Sequence, residues 1–235
     1  MTRETVTIAP RFNGPPGSGN GGYVCGLMAK RIAGVSVASL RTPPPLDTPL
    51  TLTTSGEGVT LHDGETLLGE ARPATLEWRA PPAPSLDEAR AAEARYLGHR
   101  NHRYPTCFTC GVGRRAQDGL HLYTGRVEGR DLVACSWTPG ADLAGADGRV
   151  APEFVHAALD CPTYWALPRA GMAALLARLT ASIDADLPRA DETLIVAAWP
   201  IASDGRKHRG AAALYTTGGA LIARSEALWI EPRNS

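Results

Sequence analysis

Short runs rich in Val, Leu, Ile and Thr, separated by turns rich in Gly and Pro, recur along this 235-residue chain and predict strands. After a short opening strand they fall at 35–41, 50–55, 59–62 and 66–78, and again at 120–123, 127–137, 173–183, 193–200, 207–217 and 220–230. Two longer apolar runs break the series. Residues 23–33, entered through the loop Asn13-Gly-Pro-Pro-Gly-Ser-Gly-Asn-Gly-Gly22, read as a helix with Asn20 as a suitable N-cap. Residues 152–167 read as a second helix, with Pro152 at a first helical position where its missing N–H costs nothing. This second helix is apolar almost all round, which places it inside the protein with something wrapped about it. Glu153, His156, Asp160 and Thr163 nevertheless recur at spacings of three, four and three, so they share one face. Burying a carboxylate costs several kcal/mol unless it is paired. The stripe is therefore either the wet side of the helix or the wall of a polar cavity.

The order of elements repeats. Val37-Ala-Ser-Leu40 is matched by Thr180-Ala-Ser-Ile183, and Gly64-Glu-Thr-Leu-Leu-Gly-Glu-Ala71 by Gly218-Gly-Ala-Leu-Ile-Ala-Arg-Ser225. Each copy runs as loop, buried helix and four strands, so two copies of one helix-plus-sheet unit account for the chain. The expected division is an N-terminal repeat at 1–78, a connector at 79–105 and a C-terminal repeat at 106–235. Within the connector, Ser85-Leu-Asp-Glu88 reads as a capping box ahead of a surface helix.

Composition narrows the function classes. Lys plus Arg and Asp plus Glu both number 24, and no long block of one sign occurs, which argues against nucleic acid or an anionic membrane as the main partner. No run of about 18 apolar residues is present to span a membrane. The polar N-terminus lacks the apolar core of a signal peptide, and five cysteines suit free thiols in a reducing compartment. A soluble, cytoplasmic protein is expected.

A Gly-rich entry, an apolar helix and an antiparallel meander together resemble the hotdog fold, in which a sheet wraps the helix. Two copies in one chain resemble the double-hotdog proteins of the acyl-CoA thioesterase superfamily. The pieces that carry the likeness are Gly19-Asn-Gly-Gly-Tyr23, Cys107-Phe-Thr-Cys-Gly111 with Gly119-Leu120, Leu159-Asp160 and the last strand from Gly219. The implied fold class is α+β, a tandem hotdog of two antiparallel sheets each wrapping one central helix. In the phenylacetyl-CoA type of hotdog thioesterase a His-Gly-Gly opens the helix, and an Asp nine residues after that His supplies the base or nucleophile to the opposite subunit. Asn20-Gly21-Gly22 stands where His-Gly-Gly would in the first half, with Ala29 at the acid position. In the second half Asp160 stands at the acid position, with Ala151-Pro152-Glu153 at the helix entry. Each half keeps one part, which leaves one complete composite site and one dead one. The medium-chain thioesterase-II type uses an Asp, a Thr and a Gln on the last strand. The single Gln here, Gln117, precedes the second half's first strand, so that set is not carried over.

The resemblance implies hydrolysis of an acyl-CoA thioester. Asn20 and the backbone of Gly21 and Gly22 would hold the carbonyl, and Asp160 would attack it or activate water. Tyr23, His156, Thr163 and Tyr164 are the candidate substrate contacts, His156 alternatively being a satisfied core histidine. Arg206, Lys207 and Arg209, on a turn entering a strand, are candidates for the coenzyme A phosphates, or form an ordinary solvated hairpin. No cofactor is expected beyond coenzyme A as part of the substrate, and a homodimer is implied by the family. His99, His102, Cys107 and Cys110 can be counted as a Cys2His2 zinc pattern, but the gap between the pairs is short and no metal is expected. The alternatives are a protein that binds acyl-CoA or a hydrophobic ligand without cleaving it, and a hydratase or dehydratase on the same fold. The latter would want a catalytic His close to the acid.

Overall fold

The computed structural model describes residues 1–168 and 170–233, so the last two residues of the C-terminal repeat lie outside it. The N-terminal half contains β1 (Thr2–Val6), α1 (Gly21–Ala29), β2 (Ser36–Leu40), β3 (Leu50–Ser55), β4 (Gly58–Asp63) and β5 (Thr66–Pro73). A helix α2 (Leu86–Glu93) follows in the connector. The C-terminal half contains β6 (Gly125–Arg126), β7 (Val133–Trp137), α3 (Pro152–Ala158), α4 (Cys161–Trp165), β8 (Leu175–Ile183), β9 (Leu194–Asp204), β10 (Lys207–Thr216) and β11 (Leu221–Ile230).

The strands are antiparallel and run β1-β3-β4-β5-β2-β8-β11-β10-β9-β7-β6. Apart from the small β6, this is the same five-strand order twice. The two half-sheets are thus fused into one sheet where β2 pairs with β8. In that junction Val37 lies opposite Thr180, and these are the residues that head the two matched sequence segments. The local twofold relating the repeats passes between them.

Helices α1 and α3 lie side by side against the sheet, with Gly22 to Ala29 of α1 and Phe154 to Ala158 of α3 all buried. One continuous apolar cluster spans both halves, from Ile8, Leu50 and Leu61 to Leu179, Leu194 and Trp229. The helices touch backbone to backbone because α1 presents glycines one turn apart. A methyl group on Gly22 would stand 2.4 Å from Cβ of Asp160, and one on Gly26 would stand 2.5 Å from Cα of Glu153.

The connector is more than a linker. Ser85 and Glu88 form the capping box, with Glu88 Oε2 accepting from Ser85 N at 2.7 Å and Ser85 Oγ accepting from Glu88 N at 3.1 Å. Ala89 and Ala92 of α2 then pack on Ala134, Ile195, Ala197 and Ala213, a second core on the other face of the sheet. This explains why Leu194 to Ala198 are buried at every position instead of alternating.

Three expected elements differ. Residues 120–123 make no strand ladder, because His121 adopts a left-handed backbone with φ of 53°. The expected strand at 127–137 shortens to β7, because residues 127–132 form a tight turn at Gly129, φ 71°, that pairs β7 with the two-residue β6 ahead of it. The expected helix at 152–167 breaks at Leu159 and Asp160, where Asp160 has φ −90° and ψ −83°. Pro162 is the cause: it has no N–H for the carbonyl of Ala158, four residues back, and its ring crowds that carbonyl. Among the described residues no helix is long and apolar enough to cross a membrane.

The glycine contact is directly testable. Gly26→Ala should lower stability by about 1–3 kcal/mol through overpacking, read as a drop in Tm. Gly58→Ala should leave Tm unchanged, because a methyl there meets nothing closer than 3.6 Å. Equal melting of the two variants would mean that the helices do not touch as described.

Candidate functional site

The entry to α1 and the break between α3 and α4 meet at one end of a cavity of about 520 Å³. Asn20 caps α1, its Oδ1 accepting from Tyr23 N at 2.9 Å. That bond fixes the amide, so Nδ2 points the other way, 3.3 Å from Asp160 Oδ2 and 3.8 and 3.9 Å from the sulfurs of Cys107 and Cys161. Gly22 N donates to the same Asp160 oxygen at 2.9 Å. A carboxylate from the second half therefore sits on the positive end of a helix from the first.

The broken helix aims Asp160. Its own carbonyl, at the N-cap of α4, accepts from Thr163 N at 3.0 Å and from Thr163 Oγ1 at 2.6 Å. Trp229 Nε1 in turn donates to Thr163 Oγ1 at 2.8 Å. Asp160 is 1% exposed, and its Oδ1 has no hydrogen-bond partner among the described residues. Burial pushes its carboxyl up to about 7, against the Gly22 amide and the Asn20 and Cys161 donors, which favour the charged form; charge at Cys107 adds to the rise.

Beside it, Cys107 and Cys110 arrive on a turn closed by Gly111 N donating to Cys107 O at 2.9 Å, and Cys161 opens α4. The sulfurs of Cys107 and Cys161 are 3.7 Å apart, and those of all three cysteines lie within 4.8 Å of one another. Cys107 is held well below the usual thiol range by hydrogen bonds from Cys110 and Cys161. Cys110 is pushed up chiefly by burial, and Cys161 chiefly by its bonds to the other two sulfurs.

The expected site residues divide. Asn20, Gly21, Asp160, Tyr164 and Arg206 line the cavity. Gly22 reaches it only through its bond to Asp160. Tyr23 is turned into the core, stacked on Phe12 at 4.5 Å. His156 lies under α1 near Gly26 and bonds Pro152 O through Nδ1 at 2.8 Å, the satisfied core role. Thr163 is buried, and its hydroxyl serves the Asp160 carbonyl instead of the cavity. Lys207 and Arg209 lie off the cavity, Arg209 being paired with Glu226 at 2.6 Å, whereas Arg41 and Arg103 join Arg206 along the cavity wall. The stripe on the second helix is thus split by the break, and Glu153 pairs with Lys30 at 2.9 Å. That ion pair occupies the place where Ala29 and the uncapped start of α3 would form the second composite site. His99 is exposed against Tyr96 and Tyr123, away from the cysteines. Sequence reasoning missed Cys161 as a neighbour of Cys107 and Cys110, since fifty intervening residues hide it; its place directly after Asp160 was the available signal.

The role of Asp160 can be separated from folding. In Asp160→Asn the amide oxygen still accepts from Gly22 and Asn20, while the burial of an ionisable group is removed. Tm should hold or rise. A fall of several degrees would make Asp160 a structural residue.

No family description and no curated protein matches the sequence. Solved structures match along nearly the whole chain. A tesB protein of Mycobacterium avium subsp. paratuberculosis aligns with 98% of this chain and 93% of its own, at 16% identity and a TM-score of 0.61. A candidate thioesterase from Novosphingobium aromaticivorans aligns with 98% and 95%, at 15% identity and 0.63. A hotdog-fold protein of unknown function from Alicyclobacillus acidocaldarius aligns with 99% and 93%, at 11% identity and 0.61. At these identities the likeness is one of fold. The chain is a double hotdog, built on the fold of the thioesterase-like proteins with which it aligns.

Proposed function

We propose that the protein is an acyl-CoA thioesterase working at the composite site between its halves. The observation that carries this reading is the buried Asp160 carboxylate with one oxygen tied to Gly22 and Asn20 and the other unpartnered beside the cavity. Oδ1 is the atom left to take a proton from water. The resulting hydroxide adds to the thioester carbonyl, the carbon–sulfur bond breaks, and the proton passes to the departing thiolate. Gly22 N is already engaged by Asp160, so the donor left for the developing oxyanion is the N–H of Gly21, at the first position of α1. Leu40, Leu176 and Ile230 supply apolar wall for the acyl chain. Arg41, Arg103 and Arg206 would meet the nucleotide phosphates by charge-assisted bonds. The protein would act in the cytoplasm, with no nucleic-acid partner and as a homodimer.

The engagement of Gly22 by Asp160 also favours a second reading, in which acyl-CoA is held and not cleaved. The hydratase reading loses its base, because His156 is committed to Pro152 and screened by α1.

Release of free coenzyme A from short-, medium- and long-chain acyl-CoAs, followed chromatographically, separates these readings. Asp160→Asn should lower kcat about 10²–10⁴-fold. Binding without turnover by the wild-type protein would establish the second reading. Turnover unaffected by the substitution would remove Asp160 from the chemistry.

Arg206→Ala should raise KM for acyl-CoA about fivefold at unchanged kcat, the worth of one exposed charge contact. KM for an N-acetylcysteamine thioester, which lacks the nucleotide, should not change. An equal rise with both substrates would place Arg206 away from the phosphates.

A further inference from the structure

We propose that Cys107, Cys110 and Cys161 bind a single zinc ion whose fourth coordination position opens to the cavity. The inference is independent of the thioester reading. Three of the five cysteines converge from two distant stretches of chain, and their sulfurs all lie within 4.8 Å of one another. Zinc bonded tetrahedrally to thiolates at ~2.3 Å sets its sulfurs ~3.8 Å apart. Cys107 and Cys161 stand at 3.7 Å. A disulfide would require ~2.05 Å. The ligands of a multi-iron cluster bind different irons and so stand further apart than sulfurs sharing one ion.

The surroundings suit thiolates. Asn20 Nδ2 faces the sulfurs of both Cys107 and Cys161, at 3.8 and 3.9 Å. His102 Nε2 lies 3.3 Å from the sulfur of Cys110. Since His102 Nδ1 accepts from Tyr104 N at 3.1 Å, the neutral ring carries its proton on Nε2, which also lies 3.0 Å from Cys110 O. His102 is thus placed as an N–H donor to a metal-bound sulfur and not as a ligand. Such outer donors orient the ligands and spread their charge. Three soft sulfurs favour zinc over oxygen-seeking ions such as magnesium and calcium. The three cysteines and His102 all line the cavity, and solvent would fill the fourth position at rest.

The sequence pairing of His99 and His102 with Cys107 and Cys110 is replaced by Cys161, which no spacing rule connects to them. Cys25 and Cys135, on α1 and β7, lie outside the cluster.

Full-length protein purified without chelator should contain one zinc per chain by elemental mass spectrometry. After zinc removal, cobalt should produce the intense visible bands of a tetrahedral site and sulfur-to-cobalt charge transfer in the near ultraviolet. Cys107→Ala, Cys110→Ala and Cys161→Ala should each remove these bands and stoichiometric zinc, while Cys135→Ala keeps both. Should the cluster variants fail to fold, titration of zinc-free wild-type protein against a chromophoric chelator decides on its own. Wild-type protein with its thiols reduced that takes up neither zinc nor cobalt overturns the proposal. So does a Cys107–Cys161 disulfide in protein isolated under reducing conditions, or an unchanged cobalt spectrum in Cys161→Ala.

Discussion

Gly22 and Gly26, one helical turn apart, let the backbone of α1 lie against that of α3 with no side chain between them. That approach brings the start of α1 within hydrogen-bond distance of Asp160, a residue contributed by the other repeat. Any side chain at Gly22 would push the helices apart and leave a buried carboxylate without its backbone donor, at a cost well above that of the contact itself. The helix contact and the site are therefore one arrangement, and the sheet fused at β2 and β8 holds both helices in it.

The helix break completes the geometry from the other side. At the break Asp160 caps α4, and its carbonyl also accepts from the Thr163 hydroxyl, which Trp229 holds from the last strand. A local defect in a buried helix is thereby tied into the sheet and repeated in every folded molecule. The same break sets Cys161 at the start of a new helical turn, facing the Cys107–Gly111 turn.

Much of the fold was legible because strands and buried helices declare themselves by composition, and because the repeat orders them. Val37 and Thr180, matched in the sequence, turned out to face each other across the junction. The apolar run at 194–198 was harder to interpret, since its burial on both faces depends on α2 arriving from the connector. Of the site, the convergence of Asn20, Gly22 and Asp160 follows from the resemblance, as a relation between two halves. The direction of Thr163 relative to His156 does not follow from helical spacing, because the break at Asp160 rotated the second turn away from the first, and Tyr23 is turned into the core by its stacking on Phe12. Likewise no local pattern links Cys161 to Cys107 and Cys110; only the three-dimensional packing of the two segments brings them together.

Fusion of the repeats has a consequence for how such a site can change. In an assembly of two identical chains every substitution is written into both composite sites, so neither can be altered alone. Here the two are encoded separately. At one helix entry Lys30 pairs with Glu153, while at the other Asn20 bonds Asp160. The two helix entries of one chain can therefore differ, one holding an ion pair and the other a buried carboxylate, where a pair of identical chains would have to carry the same residues at both.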